Sequence, residues 1–86
     1  MSPPEITLYG RDGCHLCDDA REVLERLRAT TPFRLHLVDI ESDDDLLRRY
    51  LERIPVVEVD GVVASELVLD EAAVRARLDT VGAWSR

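Results

Sequence analysis

Two cysteines, Cys14 and Cys17, are the only thiols in a chain of 86 residues. They fall in Gly10-Arg11-Asp12-Gly13-Cys14-His15-Leu16-Cys17, where a strand-like run gives way to a helix-like one. Thiols at i and i+3 on the first turn of a helix lie close enough to close a small disulfide ring. The free N–H groups and positive dipole end of that turn also favour a thiolate over a thiol. Beside a βαβ pattern in a chain without secretory features, the pair reads as a dithiol redox centre. The competing reading is half of a zinc site, with His15, His36 or carboxylates completing the usual ligand set. His15 stands between the two thiols. As a histidinium it would stabilise a Cys14 thiolate; the plainer reading is an exposed helix-start side chain that tunes nothing. Asp18 lies on the same side of the helix as Cys14 and opposes the thiolate, so the residues alone leave the net direction open.

The composition narrows what surrounds this pair. The length suits one domain spanning residues 1–86, with 1–4 and 82–86 as flexible ends. A hydrophobic content of 45% is ordinary for a globular chain. Two cysteines are too few for a secreted disulfide scaffold, and a loop this small constrains the unfolded chain little. A formal net charge of -7 argues against nucleic acid or an anionic membrane surface as partner, since both select a basic face. The opening Met1-Ser2-Pro3-Pro4-Glu5 carries no basic start followed by an apolar stretch, and no run is long enough to span a bilayer. A cytoplasmic monomer is the expectation.

The elements that must position the thiols follow from periodicity. Ile6-Thr7-Leu8-Tyr9 reads as a first strand stopped by Gly10. A helix runs from Cys14 to about Ala29, with Leu16, Ala20, Val23, Leu24 and Leu27 on one side. Phe33 to Ile40 reads as a second strand. The acidic run Glu41 to Asp45 is the solvated start of a short helix capped by Ser42 or Asp43; it lacks the glycine and closing glutamate of a calcium loop. Leu46, Leu47, Tyr50 and Leu51 form that helix's buried stripe, and Arg53-Ile54-Pro55 ends it. Val56 to Val59 and Val62 to Ala64 make a hairpin about Asp60-Gly61. Residues 67–69 either extend the last strand or lead into a final helix from about Asp70 to Val81, with Ala73, Val74, Leu78 and Val81 facing in. Trp84 is read as packing or tail. The order is β-α-β-α-β-β-α.

Taken together, the strand, Tyr9-Gly10-Arg11, Gly13-Cys14-His15-Leu16-Cys17, the second βα unit, Arg53-Ile54-Pro55-Val56-Val57 and Asp60-Gly61 resemble the thioredoxin fold, and within it the small glutaredoxin-like group. The likeness covers about residues 5–81. It implies an α/β architecture in which a four-stranded mixed sheet is flanked by three helices. It further implies that Cys14 is the exposed nucleophile, Cys17 the resolving thiol and Pro55 a cis-proline facing them. Tyr9 would lie near the pair, and the Ile54 backbone would take substrate as an added strand. Arg11 matches the place where glutaredoxins carry a lysine near the thiolate. The implied activity is electron transfer by thiol–disulfide exchange, with protein or small-molecule disulfides as partners and no bound cofactor or metal. One departure bears on the reductant. The Gly-Gly pair and Asp that hold glutathione in glutaredoxins correspond here to Ser65, Glu66 and Val68. Glutathione therefore stands as reductant beside thioredoxin reductase or another protein dithiol. The alternative to catalysis is a binding module of the same fold using Cys14, His15 and Cys17 for a metal or a partner.

Overall fold

Alternation along the first strand decides where everything else goes. In β1 (Glu5–Gly10), Ile6 and Leu8 are buried on one face while Tyr9 turns to the other. The computed structural model describes residues 3–83. It continues with α1 (His15–Arg28), β2 (Arg34–Asp39), a 3₁₀ turn at Ile40–Ser42, α2 (Asp44–Tyr50), β3 (Val56–Val59), β4 (Val62–Ser65) and α3 (Glu71–Ala83). The sheet order is β2-β1-β3-β4. The β1–β2 pair is parallel, as a crossover through α1 requires, and the other two pairs are antiparallel. The architecture is a mixed four-stranded sheet with three helices.

The two faces carry two cores. Ile6 and Leu8 meet Ala20, Leu24 and Leu27 of α1, Val57 and Val59 of β3, and Val74 and Leu78 of α3. On the opposite face Ile40, Tyr50 and Val56 form a smaller cluster with Tyr9, Leu46, Leu47 and Ile54 against it. The central strands are therefore apolar on both faces at β3, where Val56, Val57 and Val59 are all fully buried. Glu58 is the one polar side chain of that strand.

Local signals set the ends of the elements. Asp43 caps α2, its Oδ1 accepting the N–H groups of Asp45 at 2.8 Å and Leu46 at 3.3 Å. Asp70 does the same for α3 through Ala73 N–H at 3.1 Å. Asp60 and Gly61 both take positive φ, 49° and 83°, the geometry that a two-residue hairpin turn requires. The Asp60 carboxylate also accepts the Glu5 N–H at 2.8 Å and so ties the hairpin to the start of β1.

Several expectations are corrected. Ile40 leaves the strand for a 3₁₀ turn because Asp39 Oδ1 captures the Glu41 N–H at 2.8 Å. Leu51 is exposed rather than part of the buried stripe, since α2 ends at Tyr50. Residues 66–69 are loop, with Leu67 at a φ of 62°. The N-terminal lead-in is tethered at Pro4, whose carbonyl accepts the Arg34 N–H at 2.9 Å. Helix α3 continues through Ala83, past the Val81 end expected for it. Trp84 lies outside the described residues.

Candidate functional site

The dithiol sits at the junction of β1 and α1. Cys14 is the N-cap of α1, in an extended backbone conformation, and its Sγ accepts the Cys17 N–H at 3.1 Å. The cap position is usually filled by an oxygen side chain; here a sulfur takes it, and the Cys17 N–H is the helix-start donor that faces it. The two cysteines form a disulfide with Cα atoms 5.2 Å apart. They differ in access: Cys17 is buried at 6% exposure, whereas Cys14 is half-buried and His15 and Leu16 beside it are exposed. Gly13, at a φ of 78°, makes the turn that brings the chain into the cap.

Gly10 explains how close the strand can come. A Cβ placed there would stand 3.0 Å from Cys17 Sγ and 3.1 Å from Cys17 Cβ. The sequence marks this glycine only as the end of a strand; its packing role comes from α1 folding back onto β1. One step beyond the Tyr9–Val56 pair, the antiparallel register sets Pro55 beside Gly10. The Ile54–Pro55 peptide is cis and Pro55 is buried. Ile54 donates its N–H to the Tyr50 carbonyl at 3.0 Å. Its own carbonyl has no partner among the described residues.

The remaining site candidates are distributed around this centre. Arg11 is exposed and directed to Glu41, with Nη2 3.5 Å from the carboxylate. His15 is the first helical residue, exposed, and its ring has no hydrogen-bond partner among the described residues. Tyr9 does not join the disulfide. Its ring lies on the sheet face away from α1, packed on Tyr50 at 4.8 Å between centroids, and its hydroxyl donates to Glu58 at 3.2 Å. Burial, reinforced by the Glu58 carboxylate, pushes the Tyr9 phenol above its ordinary pKa. Beside Cys17, a hollow of about 230 Å³ is lined by Leu8, Leu37 and Val38 together with Arg11, Asp18 and Arg21.

The positions that would bind glutathione in glutaredoxins carry other duties. Ser65 is buried and its Oγ accepts the Asp70 N–H at 2.9 Å. Glu66 is ion-paired to Arg53, and Leu67 N–H donates to the Arg53 carbonyl at 2.9 Å. The hydrogen bond from Arg53 holds the Glu66 carboxyl below its usual range and raises Arg53 in turn. Val68 is exposed. Among the described residues no group of three or more His, Cys, Asp and Glu side chains gathers as metal ligands do. No helix among them is long and apolar enough to cross a membrane.

A four-stranded mixed sheet, a cysteine pair at the mouth of the first helix and a cis-proline at the start of the third strand define a thioredoxin-fold protein. The fold is shared with a thioredoxin mutant from Halobacterium salinarum at a TM-score of 0.67, with 21% identity over 92% of this chain and 74% of that one. The solution structure of protein Ne2328 from Nitrosomonas europaea superposes at a TM-score of 0.80, with 29% identity, covering 90% of this chain and 93% of that one. An uncharacterized protein of Mycobacterium tuberculosis is 31% identical over 81 residues, 88% of this chain and 84% of its own length. Residues 5–79 match the glutaredoxin-like domain, and the chain belongs to that family.

Proposed function

We propose that this protein is a thiol–disulfide oxidoreductase. In its dithiol form, the Cys14 thiolate attacks one sulfur of a substrate disulfide, forming a mixed disulfide and expelling the other sulfur as a thiolate. The Cys17 thiolate then attacks Cys14 Sγ and releases the second substrate sulfur. Two electrons pass to the substrate, and Cys14–Cys17 is left oxidised. The difference in access carries this assignment, because only Cys14 offers a sulfur to a visiting molecule while Cys17 stays at 6% exposure. The N–H donor on Cys14 Sγ supports the same role, since it stabilises that sulfur as an anion.

The reductant that fits best is a protein dithiol, such as that of thioredoxin reductase, acting in the cytoplasm. Glutathione would bring its carboxylates against Glu66, and the nearby guanidinium of Arg53 is already committed to that residue. Partners are expected to be disulfides of proteins or small molecules, with the chain acting as a monomer.

Trapping tests the chemistry. The Cys17→Ser protein, offered a peptide disulfide, should accumulate a mixed disulfide through Cys14, read as an added mass on the intact chain. The Cys14→Ser protein should not. Equal accumulation in both variants overturns the role assignment, and none in either removes the activity.

A further inference from the structure

On the sheet face away from α1, one carboxylate holds two tyrosines. Glu58, half-buried in the middle of β3, accepts the Tyr9 hydroxyl on Oε1 at 3.2 Å and the Tyr50 hydroxyl on Oε2 at 2.9 Å. The two rings lean together at 39°. Each tyrosine belongs to a different wall of the site. Tyr9 is the residue before Gly10, which presses on Cys17. Tyr50 closes α2, and its carbonyl accepts the N–H groups of both Arg53, at 2.8 Å, and Ile54, at 3.0 Å. The Arg53 guanidinium lies over the same ring, 5.2 Å from its centroid, with Arg49 at 5.7 Å. The segment leading into the cis-proline therefore hangs from Tyr50, and Tyr50 hangs from Glu58.

A carboxylate in a run of buried valines costs stability unless its oxygens are bonded. An apolar residue at this position would have continued the strand's packing without that requirement. What Glu58 supplies instead is direction: two charge-assisted bonds, one to each ring's hydroxyl, set where the rings sit. Neither sulfur touches the network, and the exchange steps above do not use it.

We propose that Glu58 is a positioning residue for disulfide exchange. Through Tyr50 it fixes the Arg53–Ile54–Pro55 segment, and through Tyr9 it fixes that segment's place relative to the strand carrying the dithiol. The substrate class favoured by such a device is an extended polypeptide disulfide. That substrate must meet the Ile54 carbonyl and Cys14 in a single register, whereas a small disulfide needs Cys14 alone. The inference rests on the oxidoreductase reading.

Two variants and two substrates test it. Tyr50→Phe removes one hydroxyl and keeps the ring. Glu58→Gln keeps the volume but leaves one acceptor oxygen where there were two. Turnover of an extended peptide disulfide is compared with turnover of bis(2-hydroxyethyl) disulfide, with thermal unfolding measured on the same samples. In both variants the ratio of peptide to hydroxyethyl kcat/KM should fall about three- to tenfold, through KM, the size expected from one lost hydrogen bond. An equal loss for both disulfides, following a lowered Tm, means that the network only stabilises the fold and overturns the proposal. An unchanged ratio overturns it as well. Wild-type protein that turns over neither disulfide sinks the oxidoreductase reading, and this proposal with it.

Discussion

Gly10 lies against Cys17 so closely that an added methyl group would meet Sγ at 3.0 Å. In the oxidised protein that sulfur is bonded to Cys14 and cannot rotate aside; in the reduced protein it can. Gly10→Ala should therefore destabilise the oxidised form by about 1–3 kcal/mol, the usual cost of overpacking. At this chain length that is a Tm loss of about 4 °C or more, and the reduced form should lose less. Thermal unfolding of both redox forms checks this, and equal losses would show that the strain is not borne by the sulfur. The cysteine pair itself was legible because its geometry is local, set by one helical turn. Glu58 was not. Val-Val-Glu-Val reads as a strand with a wet glutamate, and its partners Tyr9 and Tyr50 are 49 and 8 residues away, brought together only by strand register and the end of α2. Tyr9 shows the same limit: the resemblance put it near the dithiol, while strand alternation turned its ring to the other face.

At the scale of elements, local chemistry was the readable part. Asp43 as a cap, Asp60-Gly61 as a hairpin turn and the α1 stripe from Ala20 to Leu27 all follow from neighbours within a few residues, while Leu16, read as part of that stripe, is exposed in the first turn. The contact between the loop before β3 and the loop after β4 does not. It joins Arg53 to Glu66 by an ion pair and Arg53 to Leu67 by a backbone bond. Because Glu66 is held below the ordinary carboxylate range, the folded state releases its proton more readily than the unfolded chain does. Its contribution to stability is therefore complete above that range and is lost as pH falls through it toward the lower value in the folded protein. Glu66→Gln should behave like wild type at strongly acid pH and be the less stable of the two near neutrality. Denaturant midpoints across pH 3 to 7 give the comparison. A gap between the curves that widens toward acid pH would contradict it.

Over the whole molecule the fold was legible because β-α-β-α-β-β-α, a right-handed crossover and one hairpin leave few arrangements. The balance of charge around the dithiol was not, since it depends on which cations are already paired. Arg11 is turned to Glu41 and Arg53 to Glu66, while the carboxylates of Asp12, Asp18 and Asp19, with the guanidinium of Arg21, are exposed and make no ion pair among the described residues. Three such carboxylates against one such guanidinium, in a chain of net charge -7, predict an anionic approach to Cys14. Like-charged reactants are helped by salt and opposite-charged ones are slowed by it. The reduced protein should therefore react faster with 5,5′-dithiobis(2-nitrobenzoate), a dianion, as salt is raised from about 10 mM to about 150 mM, where the Debye length shrinks from about 30 Å to about 8 Å. Its reaction with cystamine, a dication, should slow over the same interval. The two leaving groups differ in acidity, so the sign of each salt dependence is compared, measured by stopped flow under pseudo-first-order conditions. If both signs are reversed, the arginines and not the carboxylates around α1 are the dominant charges at the mouth of the site. If both rates respond to salt in the same direction, local charge does not govern approach.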